Sequence, residues 1–242
     1  MSPLAALLTA ALALVPGPRV RAGIPGYQRI AHPTTAAERR INAALTRIER
    51  GTRAAARDCL DNGGDHSDWD RNIAVTMRGP AFLSYAVEDE IDCGGAHPST
   101  EHSALVFDLA AGTLIDWSHL LPPRLYGSLE STGTSDGIDV PTLASARLTQ
   151  LYAQRYDAEL KAQGGLDDCA GTMDADPDEP RGVQPMVAWL DARRGGLVLQ
   201  FDFGNAMKAC SLPVLIPTAT LAREGAGPRL IAALTAEHGS AR

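Results

Sequence analysis

Hydrophobic residues recur at helical intervals in the first third of the chain. Over residues 41–59 the apolar positions fall on one helical face, while most of the arginines fall elsewhere. Thr35 and Glu38 have the spacing of a capping box, in which each side chain accepts a hydrogen bond from the other residue's backbone N–H. We therefore predict a helix over residues 35–60, with Gly51 as the point where it could break.

Further along the chain, apolar and polar residues alternate with period two, which predicts strands. These runs come in pairs around short turns, as in β-hairpins. They cover residues 73–77, 82–88, 104–109, 113–117, 186–191 and 197–203, with an edge strand at 212–216. Because hairpins outnumber alternating strand–helix units, we predict an α+β fold, with a largely antiparallel sheet built from hairpins and helices packed against it.

Proline and glycine predict one more helix and the loop before it. Pro141 suits the first turn of a helix and Gly164-Gly165 suits its end, so a second helix is predicted between them. Ser131 to Gly137 is rich in serine, threonine and glycine, which predicts a loop. A last helix is predicted from Thr220 onward.

A run of small and apolar residues, Leu4 to Val15, lies near the start of the sequence. It is shorter than the roughly 20 residues that cross a bilayer. Val20-Arg21-Ala22 then offers small residues at the −3 and −1 positions of a cleavage site before Gly23. We therefore predict a signal peptide over residues 1–22 and an exported, periplasmic or secreted protein.

Length and charge narrow the function further. The 242 residues suit a single domain, predicted over residues 23–242, with its N-terminal helix at 35–60 and its core at 70–236. The net charge of −7 argues against a nucleic-acid partner, because phosphate binding needs a clustered basic surface. No second apolar run is long enough to predict a transmembrane segment in the mature chain.

Four cysteines fit an oxidising compartment. Cys59, Cys93, Cys169 and Cys210 are even in number, and no two of them have CxxC spacing. Disulfides are therefore favoured over a zinc site, and neither a metal nor a cofactor is predicted. Three connectivities are possible, and we favour Cys59–Cys93 and Cys169–Cys210 because each joins a helix or loop to the next strand region along the chain.

The densest group of chemically capable side chains is Ile91 to His102, with the sequence IDCGGAHPSTEH. Gly94-Gly95 can adopt positive φ where a strand turns away, and Cys93 can fix that turn to the first helix. Three interpretations remain open: a structural corner in which His97 hydrogen-bonds the folded backbone, a ligand-contacting loop, or a catalytic or metal site.

Candidate binding residues follow from the second interpretation. They are His97 and Asp92 in this stretch, together with Asp116 and Trp117 beyond the next hairpin. A buried tryptophan anchored by a turn is the alternative interpretation of Asp116-Trp117. No residue is assigned a catalytic role, because the sequence shows no nucleophile motif and no histidine pair on one helical face.

Several of these features together resemble the RsiV-like extracytoplasmic domain. The matching residues are Ile41-Asn42 in the first helix, the motif Cys93 to Pro98 containing GGAHP, Phe107-Asp108-Leu109 with Gly112 and Asp116-Trp117, and Ile216-Pro217 before the last helix. They span roughly residues 27–236.

The resemblance implies an α+β fold with no established catalytic activity and a sensing or binding role near the cell wall. We therefore expect a non-catalytic binding or sensing domain whose partner is a cell-wall fragment or a cell-wall-acting protein. The alternative is a cell-wall hydrolase that works through carboxylates and a histidine. That alternative requires Asp or Glu side chains to converge with His97 in an open cleft.

Overall fold

The computed structural model describes residues 11–21, 23–64, 66–162, 164, 167–170, 173, 183–201, 203 and 205–240. The helices are α1 (Ala36–Asn62), α2 (Pro123–Tyr126), α3 (Ala146–Ala162), α4 (Thr218–Arg223) and α5 (Pro228–Ser240). The strands are β1 (Leu14–Val15), β2 (Arg29–Ile30), β3 (Asp68–Arg78), β4 (Phe82–Asp92), β5 (Ser99–Asp108), β6 (Thr113–Leu114), β7 (Ser128–Gly133), β8 (Asp139–Ala144), β9 (Met186–Asp191), β10 (Gly196–Phe201) and β11 (Val214–Pro217). Short 3-10 helices cover Trp117–His119, Asp167–Cys169 and Asn205–Cys210. Among the described residues, no helix is both long and apolar enough to cross a membrane.

Two antiparallel sheets stack face to face, and helices cover their outer faces. The first sheet has the strand order β3-β4-β5-β6 and the second has the order β11-β10-β9-β8-β7, while β1 and β2 form a small ribbon. Helix α1 packs on the outer face of the first sheet, where Ile41 and Leu45 share a buried cluster with Leu83. Helix α3 covers the second sheet, where the Tyr152 and Phe201 rings lie 4.9 Å apart. The predicted α+β class is confirmed.

Helix α1 begins as its capping box predicts. The Glu38 N–H donates to Thr35 Oγ1 at 3.1 Å, and the Thr35 N–H donates to Glu38 Oε2 at 3.0 Å. The helix then runs unbroken through Gly51. A Cβ at Gly51 would lie 2.9 Å from the carbonyl oxygen of Asp136, so glycine lets the tip of the β7–β8 hairpin approach the helix.

The predicted helix start at Pro141 is wrong, and the loop predicted over Ser131 to Gly137 is confirmed only from residue 134 onward, because β7 extends to Gly133. Pro141 lies in β8, opposite Ser131 of β7, and α3 begins only at Ala146. Strand β7 is exposed at nearly every position, so it carries no alternating pattern for sequence reasoning to detect. Proline is tolerated because β8 pairs with β9 only through Thr142 and Leu143, which leaves the other side of Pro141 without a neighbouring strand.

The segment of residues 11–21 packs on the domain, although it belongs to the predicted signal peptide. The Leu12 N–H donates to the Arg78 carbonyl at 2.9 Å, and Arg53 Nε donates to the Val20 carbonyl at 2.8 Å. Val20 itself is 4% exposed. Cleavage before Gly23 would remove these contacts. Residues 1–10 and Ala22 lie outside the described residues, and the signal peptide stays a prediction.

The space between the two sheets is closed at one end by α5. Arg229 forms an ion pair with Asp108 and lies over the Phe82 ring, 4.9 Å from its centroid. Glu237 Oε1 accepts a hydrogen bond from the Arg78 N–H at 2.9 Å. Among the described residues, no helix covers the opposite end of the same space, where β4 passes Glu88 and Glu90.

Candidate functional site

An open cleft between the two sheets is the site that the structure builds from polar residues. A row of three small residues, Ala74, Ala86 and Ala104, crosses β3, β4 and β5, where the second sheet approaches. The next row along the strands is polar and consists of Asn72, Glu88 and His102. Side chains directly opposite each other on antiparallel strands point to the same face, so all six residues face the second sheet. We call this space the inter-sheet cleft.

The polar rows continue beyond the inter-sheet cleft as an acidic face of the first sheet. Asp70 pairs with Glu90, and Asp68 pairs with Asp92. We call Asp68, Asp70, Glu88, Glu90 and Asp92 the acidic face. Carboxylates directly opposite each other on neighbouring strands repel one another, and such pairs destabilise a sheet. The protein therefore retains a locally unfavourable charge pattern at the edge of the inter-sheet cleft.

The second sheet supplies the other wall. Trp189 of β9 and Gln200 of β10 line the inter-sheet cleft, with Lys208 on the 3-10 helix beside them. Gln200 Nε2 donates to the Ser211 carbonyl oxygen at 2.9 Å. The Tyr156 hydroxyl donates to the Cys210 carbonyl oxygen at 2.8 Å. These contacts fix the wall to the rest of the domain.

Two nearly buried side chains in this wall keep unused polar atoms. Trp189 is 7% exposed and Gln200 is 5% exposed. Within the described chain the indole N–H of Trp189 has no acceptor, and Gln200 Oε1 has no donor. Neither atom is among the fully buried polar atoms that lack a partner, so both atoms reach solvent, and both residues line the inter-sheet cleft. Buried polar groups are normally hydrogen-bonded, so the wall offers one donor and one acceptor to a ligand.

The inter-sheet cleft has the size of a small-molecule site. Its volume is about 540 Å³, within the roughly 300–1,000 Å³ of ligand pockets. Partial burial raises the pKa of the Glu88 carboxyl above its ordinary value, and the negative charges of Glu90 and Asp89 raise it further. Within the described residues neither Glu88 nor Glu90 has a hydrogen bond or an ion pair. Chemically, the site can accept hydrogen bonds and attract a cation.

The opposite face of the same strands carries a closed ionic network. Arg71 binds both carboxylate oxygens of Asp89, from Nε at 2.6 Å and from Nη2 at 2.8 Å. Arg71 also donates to Asp136 Oδ2 at 2.8 Å and to Thr52 Oγ1 at 3.0 Å. The Trp69 indole donates to Asp89 Oδ1 at 2.7 Å. With these partners satisfied, the network joins α1, the first sheet and the β7–β8 hairpin, and it presents no open site.

The predicted residues His97 and Asp92 do not line the inter-sheet cleft. The side chain of His97 is exposed in the loop between β4 and β5 and makes no hydrogen bond or ion pair within the described residues. The hydrogen-bonded corner expected of His97 is therefore not found. Asp92 lies at the end of the acidic face, and its Oδ1 accepts a hydrogen bond from the Gly94 N–H at 2.9 Å.

The backbone of that loop does form a corner. Gly94 has φ +74°, and a Cβ there would lie 1.9 Å from the Gly63 carbonyl oxygen at the end of α1. The Cys59–Cys93 disulfide closes beside it, with an S–S distance of 1.98 Å. The second pair, Cys169–Cys210, is also bonded, with an S–S distance of 2.10 Å. Both predicted disulfides are confirmed.

Asp116 and Trp117 lie elsewhere and act locally. Asp116 Oδ1 accepts a hydrogen bond from the Ser118 N–H at 2.9 Å, which caps the 3-10 helix at Trp117–His119. Trp117 is 2% exposed and belongs to the main hydrophobic core. They follow the end of β5 at Asp108, whereas the His97 loop precedes its start at Ser99. A strand of this length separates the two places by roughly 30 Å, so the four predicted residues do not form one site.

Sequence reasoning missed Glu88, His102, Trp189 and Gln200 as members of one site. A usable signal was present, because Glu88 and Glu90 have the two-residue spacing of one strand face. The pairing of Glu88 with His102, and the position of Trp189 and Gln200 opposite them, could not be predicted from spacing within one strand. Among the described residues, no group of three or more His, Cys, Asp or Glu side chains is placed to hold a metal ion.

Comparison with known proteins gives distant structural neighbours. No family model and no curated protein matches the chain. One similar solved structure is a DUF3298 family protein from Pseudomonas aeruginosa PAO1, with 14% identity and a TM-score of 0.47, covering 72% of this chain and 68% of that one. Another is a member of the DUF3298 family from Bacteroides fragilis NCTC 9343, with 14% identity and a TM-score of 0.42, covering 87% of this chain and 75% of that one. The RsiV-like resemblance and its GGAHP motif stay predictions.

Proposed function

We propose that this protein is an exported, non-catalytic binding domain that takes a polar ligand in the inter-sheet cleft and acts near the cell wall. The observation that carries the proposal is the pair of side chains Trp189 and Gln200. Both are more than nine-tenths buried and line the cleft, and within the described residues each keeps one polar atom without a protein partner. A ligand that displaces water from the cleft must supply hydrogen-bond partners for these two atoms, because leaving them unpaired would cost about 1–3 kcal/mol each.

Two disulfides support the proposed location. Paired cysteines persist in the periplasm and outside the cell, whereas cytosolic reductants keep most thiols reduced. Both described cysteine pairs, Cys59–Cys93 and Cys169–Cys210, are bonded. Fractionation of cells that express the full chain tests the location. Protein found only in the cytoplasm, with four free thiols, would contradict it.

A binding experiment with purified cell-wall digest tests the function. Soluble fragments from an enzymatic wall digest are titrated into the protein, and heat release or the melting temperature is recorded. The Trp189→Phe variant removes the indole N–H and keeps most of the ring, so binding should weaken at least tenfold. Trp117→Phe is the matched control, because Trp117 is also buried but does not line the cleft. No binding of the digest by the wild type, or equal weakening in both variants, would refute the proposal.

The hydrolase alternative required carboxylates to converge with His97 in an open cleft, and His97 is not in the cleft. His97 is exposed in the β4–β5 loop and is absent from the lining of the cleft. His102 takes the nearby place opposite Glu88, and a carboxyl with a raised pKa beside an imidazole can transfer protons. An assay for release of reducing ends from wall polymer decides between the two functions. Activity that disappears in Glu88→Gln would replace the binding proposal by hydrolysis.

A further inference from the structure

The acidic face and the unpartnered wall atoms together constrain the ligand of the inter-sheet cleft. Glu88 and Glu90 lie two residues apart on one face of β4, so their backbone positions are about 7 Å apart. In the described chain neither carboxylate has an ion-pair partner. A ligand that enters between the sheets therefore meets two carboxylates on one side.

The second wall adds two further requirements. Trp189 presents an indole N–H, which needs an acceptor such as a hydroxyl or carbonyl oxygen. Gln200 Oε1 needs a donor. The two glutamates and the amide oxygen favour a ligand that carries positive charge and N–H donors, and Lys208, the cation in the same lining, already has an interaction of its own.

The charge pattern of the sheet agrees with a cationic ligand. The cross-strand pairs Asp70/Glu90 and Asp68/Asp92 place like charges opposite each other, which disfavours the empty protein. A bound cation would lower this repulsion at Glu88 and Glu90. The repulsion between carboxylates therefore lies where a positively charged ligand would be attracted.

We propose that the inter-sheet cleft binds a primary ammonium compound that also carries a hydroxyl or carbonyl oxygen. The ammonium group is held by Glu88 and Glu90 and donates to Gln200 Oε1, and the oxygen accepts from the Trp189 indole N–H. This inference rests on the proposed function and names the ligand class of the same site. Free amino sugars and peptides with a lysine-type side chain share this chemistry.

Two matched pairs of probes separate those sources. The first pair is the β-1,4-linked glucosamine disaccharide and its N,N'-diacetyl form. The second is Nα-acetyl-L-Lys-D-Ala-D-Ala and the same peptide acetylated at Nε. Within each pair, acetylation removes the ammonium charge and keeps the rest of the ligand. Titration calorimetry of the full chain should show at least tenfold tighter binding of the ammonium form in one pair, which identifies the source.

Variants assign the effect to the site. Glu88→Gln combined with Glu90→Gln should abolish the preference for the ammonium form. Asp68→Asn is the matched control, because Asp68 belongs to the acidic face but does not line the cleft. Equal binding of charged and acetylated probes, or a preference that survives the double substitution, would overturn the inference. If the wall digest binds but none of the four probes does, the ligand class is wrong. If the digest also fails, the proposed function falls with it.

Discussion

The two faces of the β3–β4 ribbon differ in whether their carboxylates are paired with other side chains. Asp89 is 3% exposed and receives hydrogen bonds from Arg71 and Trp69, whereas its neighbours Glu88 and Glu90 point to the other face and have no such partners in the described chain. The residue type is nearly the same, and the positions differ by one. Strand alternation alone decides which carboxylate becomes part of the core and which borders a cleft. A buried charge must be fully paired, and only an open one can remain available for a ligand.

The largest expected effect is on the paired face. Arg71→Met leaves Asp89 and Asp136 buried without their cation, so the free energy of unfolding should fall by about 3–5 kcal/mol. Urea unfolding followed by circular dichroism measures it. Asp70→Asn, one residue away on the acidic face, is the control and should change little. A loss below 1 kcal/mol for Arg71→Met would show that the network is not essential to the fold.

The N-terminal segment also covers the paired side of the sheet, and removing it should be costly. A chain that begins at Gly23 loses the buried Val20 and the contacts of Leu12 and Leu14. Burying one such side chain stabilises a protein by about 1.5–3 kcal/mol. We expect at least this loss relative to a chain that begins at Ala11, measured by urea unfolding. Equal stability would make the predicted cleavage before Gly23 compatible with the fold.

On the acidic face the expected sign is reversed. Glu88→Gln and Glu90→Gln remove like-charge repulsion, so each should raise the free energy of unfolding by about 0.2–1 kcal/mol. The same changes should weaken ligand binding. Stabilisation together with lost binding is the signature of a functional site whose charges are kept at a cost to stability. Destabilisation by both substitutions would mean that these carboxylates support the fold.

The pH dependence of stability tests whether the charge of Glu88 causes the expected gain. Partial burial raises the pKa of Glu88, so the native state binds this proton more readily than the unfolded state does. Native stability from this group therefore increases as the pH falls through the raised pKa. The advantage of Glu88→Gln should be present at pH 7 and disappear once the pH is below about 4, where the carboxyl is protonated in both states. An advantage that persists at pH 3 would exclude charge as its cause.

The smallest effect is expected at His97. Its side chain is exposed, so His97→Ala should change the free energy of unfolding by no more than about 0.5 kcal/mol. Gly94→Ala, three residues earlier, should be strongly destabilising, because its Cβ would collide with the Gly63 carbonyl oxygen. Thermal melts of the two variants compare them directly. A large loss of stability in His97→Ala would instead support the hydrogen-bonded corner.

Local sequence patterns were enough to predict most of the helices and strands and both disulfides. The capping box at Thr35, the hairpins and the two disulfides follow from short-range spacing and compartment chemistry, and these predictions are confirmed. The shared cleft of Glu88, His102, Trp189 and Gln200 depends on tertiary structure, because these residues come from strands far apart in the chain. The structure also places Pro141 in a strand, and the candidate site does not include His97. Spacing reports what lies within a few residues, whereas a site between two sheets depends on which strands pair and on where small residues such as Ala86 let the sheets approach.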